Sequence, residues 1–463
     1  MHKRIFCYLL FAVCCYGPAT ADSGVFSLDP IKKSDRILIL APHPDDEIIG
    51  CAGVIQRALS QGAQVKIVYL TNGEHNQFAF MVYEKRPILL KGEFISLGKL
   101  RRSESVKSAE LLGLSRQNLI FLGYPDFGTF AIFTQYWQSK VPFESMLTRI
   151  SRVPYKDSFR FDAAYVPENI LSDLKQILFS YKPNKIFVSH PADVNVDHKS
   201  LYLYLEVALA DLRNLLPRPK LYPYLIHCVG WPMPRNYHPE LSLMPPEKFT
   251  DSSINWQGLE LAPAQLENKH QAILCHRSQT QSSAFYLLSF ARKREIFGDF
   301  PDIELEKQAS AKEKTAQFFG FSRMYVDAGV EIDQELVHLI QDKGQVSYAI
   351  WDNALLIHLE KEKNLNRRFT AVLYLFGYSY KLPFARMPKI RINTKYDKFQ
   401  IFDGHKLIQA QGVELELNPR SLILKIPLEV LGNPDFILTA AKVYHGKLPA
   451  DAVTFRKIVI NKR

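Results

Sequence analysis

The chain has 463 residues, 47% apolar and 23% charged, with 22 glycines and 27 prolines scattered rather than periodic. That composition excludes a wholly disordered, collagen-like or multi-span membrane chain, and the length suggests two or three domains of ~100–200 residues. The formal charge of +11 comes from dispersed lysines and arginines without a nucleic-acid-binding motif, so it reads as a basic surface suited to an acidic substrate or envelope polymer.

Residues 1–21 read as a secretory signal peptide. His2-Lys3-Arg4 gives a positive start, residues 5–15 an apolar core, and Ala19-Thr20-Ala21 a cleavage site before Asp22. The apolar run is too short to span a bilayer comfortably, so membrane attachment is expected only through an uncleaved signal. The expected location is the periplasm, the cell envelope or the outside of the cell. Cys51, Cys228 and Cys275 remain after cleavage, an odd set at wide spacing that makes no disulfide framework, with one bridge left open.

A β/α alternation follows. Residues 36–40 (RILIL) fit a strand buried on both faces, and 47–61 have helical spacing. Further strands are expected at 65–70, 118–122, 185–189 and 221–229, and helices at 101–112, 167–181 and 197–214. This pattern predicts an α/β fold: a Rossmann-like, mostly parallel sheet with helices on both faces and its ligand at the carboxyl ends of the strands. Two helices are expected within 264–296, and a charged link over 303–315. From about 345 short β-rich runs recur, at 346–358, 369–377, 388–394, 398–403, 411–417, 421–427, 435–444 and 453–460. They predict a C-terminal all-β, sandwich-like domain. The boundary is placed near 325, giving domains over 22–325 and 326–463. Trp351, Tyr374, Tyr378 and Tyr380 in the second domain read either as a sugar-stacking platform or as core aromatics.

The chemistry sits after two strands. The first ends in Pro42-His43-Pro44-Asp45-Asp46-Glu47, the fourth in His190-Pro191-Ala192-Asp193-Val194-Asn195-Val196-Asp197-His198. Both segments should lie at one edge of the sheet, where imidazoles and carboxylates supply the N and O donors of a zinc hydrolase, with a position left for water. His43 and Asp46, three apart across a strand-to-helix turn, can converge on one ion that His198 completes. Asp45 would point elsewhere, toward the water, as a general base.

Pro42-His43-Pro44-Asp45-Asp46-Glu47 with the later Asp197-His198 resembles the PIG-L/LmbE family of zinc-dependent de-N-acetylases, over roughly 33–300. The resemblance implies His43, Asp46 and His198 as ligands of Zn2+ or another divalent metal, Asp45 as general base, and Asp197 as the carboxylate orienting a catalytic histidine. It also places Thr71-Asn72-Gly73-Glu74 in the loop after strand two and Arg101-x-x-Glu104 on the family's R-x-x-E helix. Arg101, Asp126 and Glu74 fall where relatives contact substrate, and Lys269 to Gln279 resembles a late motif. One departure matters: Asn195 stands where many members carry an oxyanion-stabilising histidine. Asparagine can donate a hydrogen bond but no proton, so the proton role passes to Asp45 itself or to a histidine such as His227 or His276.

The expected function is therefore removal of an N-acetyl group from an N-acetylglucosamine-type sugar in a glycan or glycoconjugate. The alternatives are hydrolysis of another N-acyl bond, or an inactive sugar-binding relative. A nucleotide cofactor is not expected, because the turn after strand one carries three acids instead of the glycines that admit a pyrophosphate. Nucleic acid is likewise not an expected partner.

Overall fold

The computed structural model describes residues 24–461 apart from 77–80, 84, 86–89, 250–253, 309–316, 318, 324–343 and 447. The expected signal and the boundary at 325 lie outside the described residues. After a short strand β1 (Val25–Ser27), five strands lie parallel: β2 (Arg36–Ala41), β3 (Gln64–Thr71), β4 (Leu119–Tyr124), β5 (Lys185–Ser189) and β6 (Lys220–Tyr224). Their spatial order is β4-β3-β2-β5-β6, so the winding reverses between β2 and β5. In such sheets that switch point opens the crevice where ligands bind. The parallel expectation fails at one side. There β7 (Asn255–Glu260) and β8 (Arg294–Asp299) add antiparallel pairings, with β1 parallel to β7 at the edge.

Helices cover both faces. Alternate residues of β2 divide between them, because successive side chains of a strand point to opposite sides. Ile37, Ile39 and Ala41 pack with α1 (Asp46–Ser60), α2 (Lys91–Leu111) and, later in the chain, α6 (Pro263–Leu274) and α7 (Arg277–Leu287). Leu38 and Leu40 pack with α3 (Thr129–Gln135), α4 (Pro167–Tyr181) and α5 (Val196–Asp211). Helix α2 starts ten residues before the expected position, since Phe94 and Leu97 add buried positions to its first turns.

Helix α1 is kinked at Cys51 (φ −139°), and a buried ion pair fills the broken ladder. Lys269 Nζ donates to Ile49 O at 2.8 Å and to Glu295 Oε1 at 2.8 Å, while Glu295 accepts from the Gly53 and Val54 amides. Lys269, expected near the substrate, is therefore part of this internal brace and is fully buried.

The remaining strands form a twelve-stranded sheet folded over one core. One half contains β11 (Gly344–Trp351), β12 (Ala354–Lys361) and β18 (Ser421–Pro427). The other contains β13 (Phe369–Tyr378), β14 (Lys389–Lys395), β19 (Phe436–His445) and β20 (Leu448–Asn461). Inward residues of both halves, such as Tyr348, Ile357, Leu373, Leu375 and Ile437, share that core. Strand β9 (Ile303–Gln308), in the stretch expected to be a link, joins the halves by pairing with β20 and β11.

The outer face of β13 is also covered. Phe376 and Tyr378 pack with Phe133 and Tyr204 of α3 and α5, and Tyr374 contacts Phe130. Tyr378 is 2% exposed and donates to Asp211, and the Arg213 guanidinium lies 3.8 Å over the Tyr380 ring. Tyr374 and Tyr378 thus join the two units as core aromatics, whereas Tyr380 is 47% exposed. Thr454 of β20 donates to Pro191 O, in the loop after β5.

Candidate metal centre and active site

The segments after β2 and β5 meet at the switch point. Strand β2 ends at Ala41, and His43 to Asp46 turn directly into α1. Asp45 takes φ 121° there, a strained value for a non-glycine residue that surrounding bonds must hold. The Asp45 amide donates to Glu47 Oε2 at 3.0 Å. Arg101 of α2 reaches across to give the Pro44 and Gly73 carbonyls hydrogen bonds of 2.8 Å each, and it pairs with Asp45 Oδ2 at 3.2 Å. Gly73 takes φ 66°, and a Cβ there would stand 2.1 Å from the guanidinium, so a larger residue would displace Arg101.

Three donor atoms converge. His43 Nδ1 and His198 Nε2 each lie 3.1 Å from Asp46 Oδ2. His43, Asp46 and His198 thus offer ligand atoms within 4.8 Å of one another, all on buried residues. Among the described residues, His198 has no hydrogen-bond partner on either ring nitrogen, although Asp46 and Asp193 oxygens stand at 3.1 and 3.0 Å. At Nε2, a buried imidazole nitrogen and a carboxylate oxygen standing 3.1 Å apart fit two ligands of a shared cation. Behind the donors stand orienting carboxylates of the kind that steer metal-bound histidines. Asp126 Oδ1 and Asp197 Oδ2 lie 3.2 and 3.3 Å from His43 Nε2, and Asp193 serves His198 Nδ1.

The electrostatics also call for positive charge. Burial works against an imidazolium at His43, yet Asp126, Asp197 and Asp46 hold its pKa well above the ordinary value. Burial likewise opposes charging of His198, but Asp193 and Asp46 raise it to about 9. Asp46 is pulled well below the usual range, against burial, by His198 and His43. A divalent ion would meet the same demand with neutral imidazoles as ligands. Burial lifts Asp45 to about 6, with Arg101 opposing, and lifts Glu47 to about 8 with Asp45 adding to the rise.

The other expected site residues fall into place around this centre. Asp197, expected to orient a catalytic histidine, stands 3.3 Å from Nε2 of His43, an expected metal ligand. It also accepts from the Phe127 and Thr129 amides and the Thr129 hydroxyl. Asp126 faces His43 and accepts from the His75 amide, while Glu74 accepts from the Asp126 amide. Burial, then Asp126, pushes Glu74 up to about 8. Arg101, expected against substrate, is 5% exposed and bonded to the loop that carries Asp45. Its R-x-x-E partner Glu104 accepts from Ser278 N and Oγ at the start of α7. Asn195 caps α5 by accepting from the Asp197 amide at 2.8 Å, so its oxygen is committed to the helix and only its NH2 remains for an oxyanion.

His276 is 1% exposed and lies 3.9 Å from Glu47 Oε1. Burial takes its pKa down to about 3. His227 is different: its half-buried ring stands 4.7 Å from the His198 ring, with Nδ1 3.2 Å from Asp193 Oδ1. Asp193, not singled out from the sequence, thus serves two histidines. Its place in the Asp193-x-Asn195-x-Asp197 alternation was the available signal. Cys51, Cys228 and Cys275 are free thiols. Among the described residues, no helix is long and apolar enough to cross a membrane.

A curated Bacteroides thetaiotaomicron protein described as glucosamine-6-phosphate deaminase-like is 22% identical over 269 residues, 54% of this chain and 36% of its own length. The chain thus spans about a third of that relative. Among solved structures, the N,N'-diacetylchitobiose deacetylase of Pyrococcus horikoshii is 21% identical, with a TM-score of 0.32 over 53% of this chain and 71% of that one. The 4-carboxy-2-hydroxymuconate hydratase of Pseudomonas putida is 14% identical, with a TM-score of 0.34 over 58% and 98%. The family profile described as PIG-L: GlcNAc-PI de-N-acetylase matches residues 38–209, a span that holds His43, Asp45, Asp46, Asp197 and His198. The chain thus carries a PIG-L family domain over those residues.

Proposed function

We propose that this protein is a zinc-dependent N-deacetylase of N-acetylated amino sugars in a glycan or glycoconjugate. The observation that carries the reading is the convergence of His43, Asp46 and His198 donor atoms beside Asp45. A bound divalent ion supplies Lewis acidity there, polarising an acyl carbonyl and acidifying a water. Asp45, pinned by Arg101, takes the proton of the attacking water and becomes the nearest acid. As the amide C–N bond breaks, Asp45 returns that proton to the departing nitrogen, leaving acetate and a free amine. The Asn195 NH2 group has a hydrogen bond but no proton to offer in this step. His227, 3.2 Å from Asp193, is the other side chain of the centre placed to pass a proton.

The test is acetate release from a panel of N-acetylated sugars, glycans and glycolipids, with zinc and after chelation. Metal-dependent acetate supports the reading. A different acid released would transfer it to another N-acyl bond, and no product from any member of the panel would refute it. Export is part of the proposal, supported by Lys3, Arg4, the apolar stretch 5–15 and Ala19-Thr20-Ala21. N-terminal sequencing of envelope or secreted material should begin near Asp22, and a cytoplasmic protein retaining Met1 would contradict it.

A further inference from the structure

Among the described residues, an exposed phenyl ring unused by its chemistry borders the centre. Phe127 lies between Asp126 and Gly128, both buried, yet it is 53% exposed itself. Its backbone takes φ 57°, in the left-handed region that bulky side chains rarely adopt. The cause is visible. The Phe127 amide donates to Asp197 Oδ2 at 2.6 Å, and the Thr129 amide follows onto Oδ1 at 3.2 Å. That same Oδ2 stands 3.3 Å from His43 Nε2. The chain at 127 is thus bent onto a carboxylate that backs a metal donor, and the ring is left at the rim of the centre. It stands edge-on to His75, centroids 5.1 Å apart, and the His75 amide holds Asp126.

Glycine or asparagine would take this backbone conformation with less strain. Burial in the core does not explain the ring either, because more than half of the residue faces solvent. A phenyl ring also has no polar atom to satisfy. What it offers is a flat apolar surface one residue from Asp126, with a negative face suited to polarised C–H groups.

We propose that the Phe127 ring is a stacking platform for the C–H face of a pyranose, holding the sugar while its acetamido group enters the centre. It thereby favours N-acetylated sugars over acyclic N-acetyl amides. This rests on the deacetylase reading above and deepens it.

The test compares full-length, zinc-loaded wild type with Phe127→Ala, Phe127→Tyr and Phe127→Gly. The substrates are an N-acetylated chito-disaccharide and, at high concentration, N-acetylethanolamine. Phe127→Ala should lose about ten-fold in kcat/KM on the disaccharide, mainly through KM, the scale expected for losing aromatic burial. It should leave the acyclic amide and the zinc content unchanged. Phe127→Tyr should keep the preference. Phe127→Gly should be at least as heat-stable as wild type, because it relieves the strain, and yet lose the preference; this separates recognition from folding. Equal losses on both substrates would make Phe127 only a prop for Asp197 and overturn the proposal, as would no change on either. If wild type releases acetate from no member of the panel above, the deacetylase reading itself fails and this proposal falls with it; if it acts on the acyclic amide and on no sugar, the proposal alone is overturned.

Discussion

Replacing Asp45 by asparagine should make the metal-free protein more stable while disabling it. The Asp45 side chain is 11% exposed, and burial lifts its pKa from 3.8 to about 6 even with Arg101 at 3.2 Å. A carboxyl whose folded pKa is raised binds more protons in the folded state than in the unfolded state between those two values. Stability is therefore fully present below pH 4 and falls as the pH rises through about 6. At 1.36 kcal/mol per pH unit, that interval amounts to roughly 3 kcal/mol of destabilisation at neutral pH. Asparagine has nearly the same shape, carries no charge and tolerates positive φ better. Asp45→Asn should recover most of that roughly 3 kcal/mol at pH 8 and almost none at pH 4. Urea unfolding of chelator-treated wild type and variant across pH 4–8 measures the difference. A variant less stable at pH 8, or a gain that does not change with pH, would refute the reasoning. In the zinc-loaded enzyme, kcat should fall by about 10²–10⁴-fold, the usual contribution of a general base, with zinc content unchanged.

Three further outcomes follow from the same geometry. His43→Ala removes a donor and the partner of Asp126 and Asp197, so the purified protein should lose its stoichiometric zinc; full metal content would show that the ligand set is wrong. Gly73→Ala forces a Cβ to 2.1 Å from the Arg101 guanidinium at φ 66°; it should cost about 1–3 kcal/mol in chemical denaturation and lower kcat, and a neutral result would detach Arg101 from the base loop. Lys269→Met leaves the buried Glu295 without its cation, so unfolding free energy should drop by about 3–5 kcal/mol, while a neutral effect would mean that the helix kink needs no brace.

The centre was legible because its residues cluster in two short segments, each following a strand whose all-apolar run is hard to misread. The parallel core was legible for the same reason. What stayed hidden depends on contacts distant in sequence. Arg101 looks like an exposed helix charge until Gly73 and Pro44 arrive to use its donors. Asp193 looks like a turn acid until His198 and His227 flank it. The stretch 346–358 read as one strand, but Asp352 and Asn353 both take positive φ and fold it into the β11–β12 hairpin. Strand β9 was missed because three of the six residues from Ile303 to Gln308 are charged, while Ile303 and Leu305 point into the core.

Helix α5 shows what the second sheet means for the first. Every residue from Asp197 to Ala210 is buried, including Lys199 and Glu206. A helix on the outside of an α/β fold normally keeps a wet side; this one has the parallel sheet beneath it and the folded-over sheet above. Lys457 of β20 reaches Glu206 at 3.4 Å, and Tyr378 reaches Asp211 at 2.8 Å across the same seam. The helix that carries His198 therefore has no surface of its own. The second sheet cannot be a passenger that swings on a tether, because lifting it would leave the catalytic half with a greasy flank. The two halves should melt in one transition, and the helix that carries His198 is held from both.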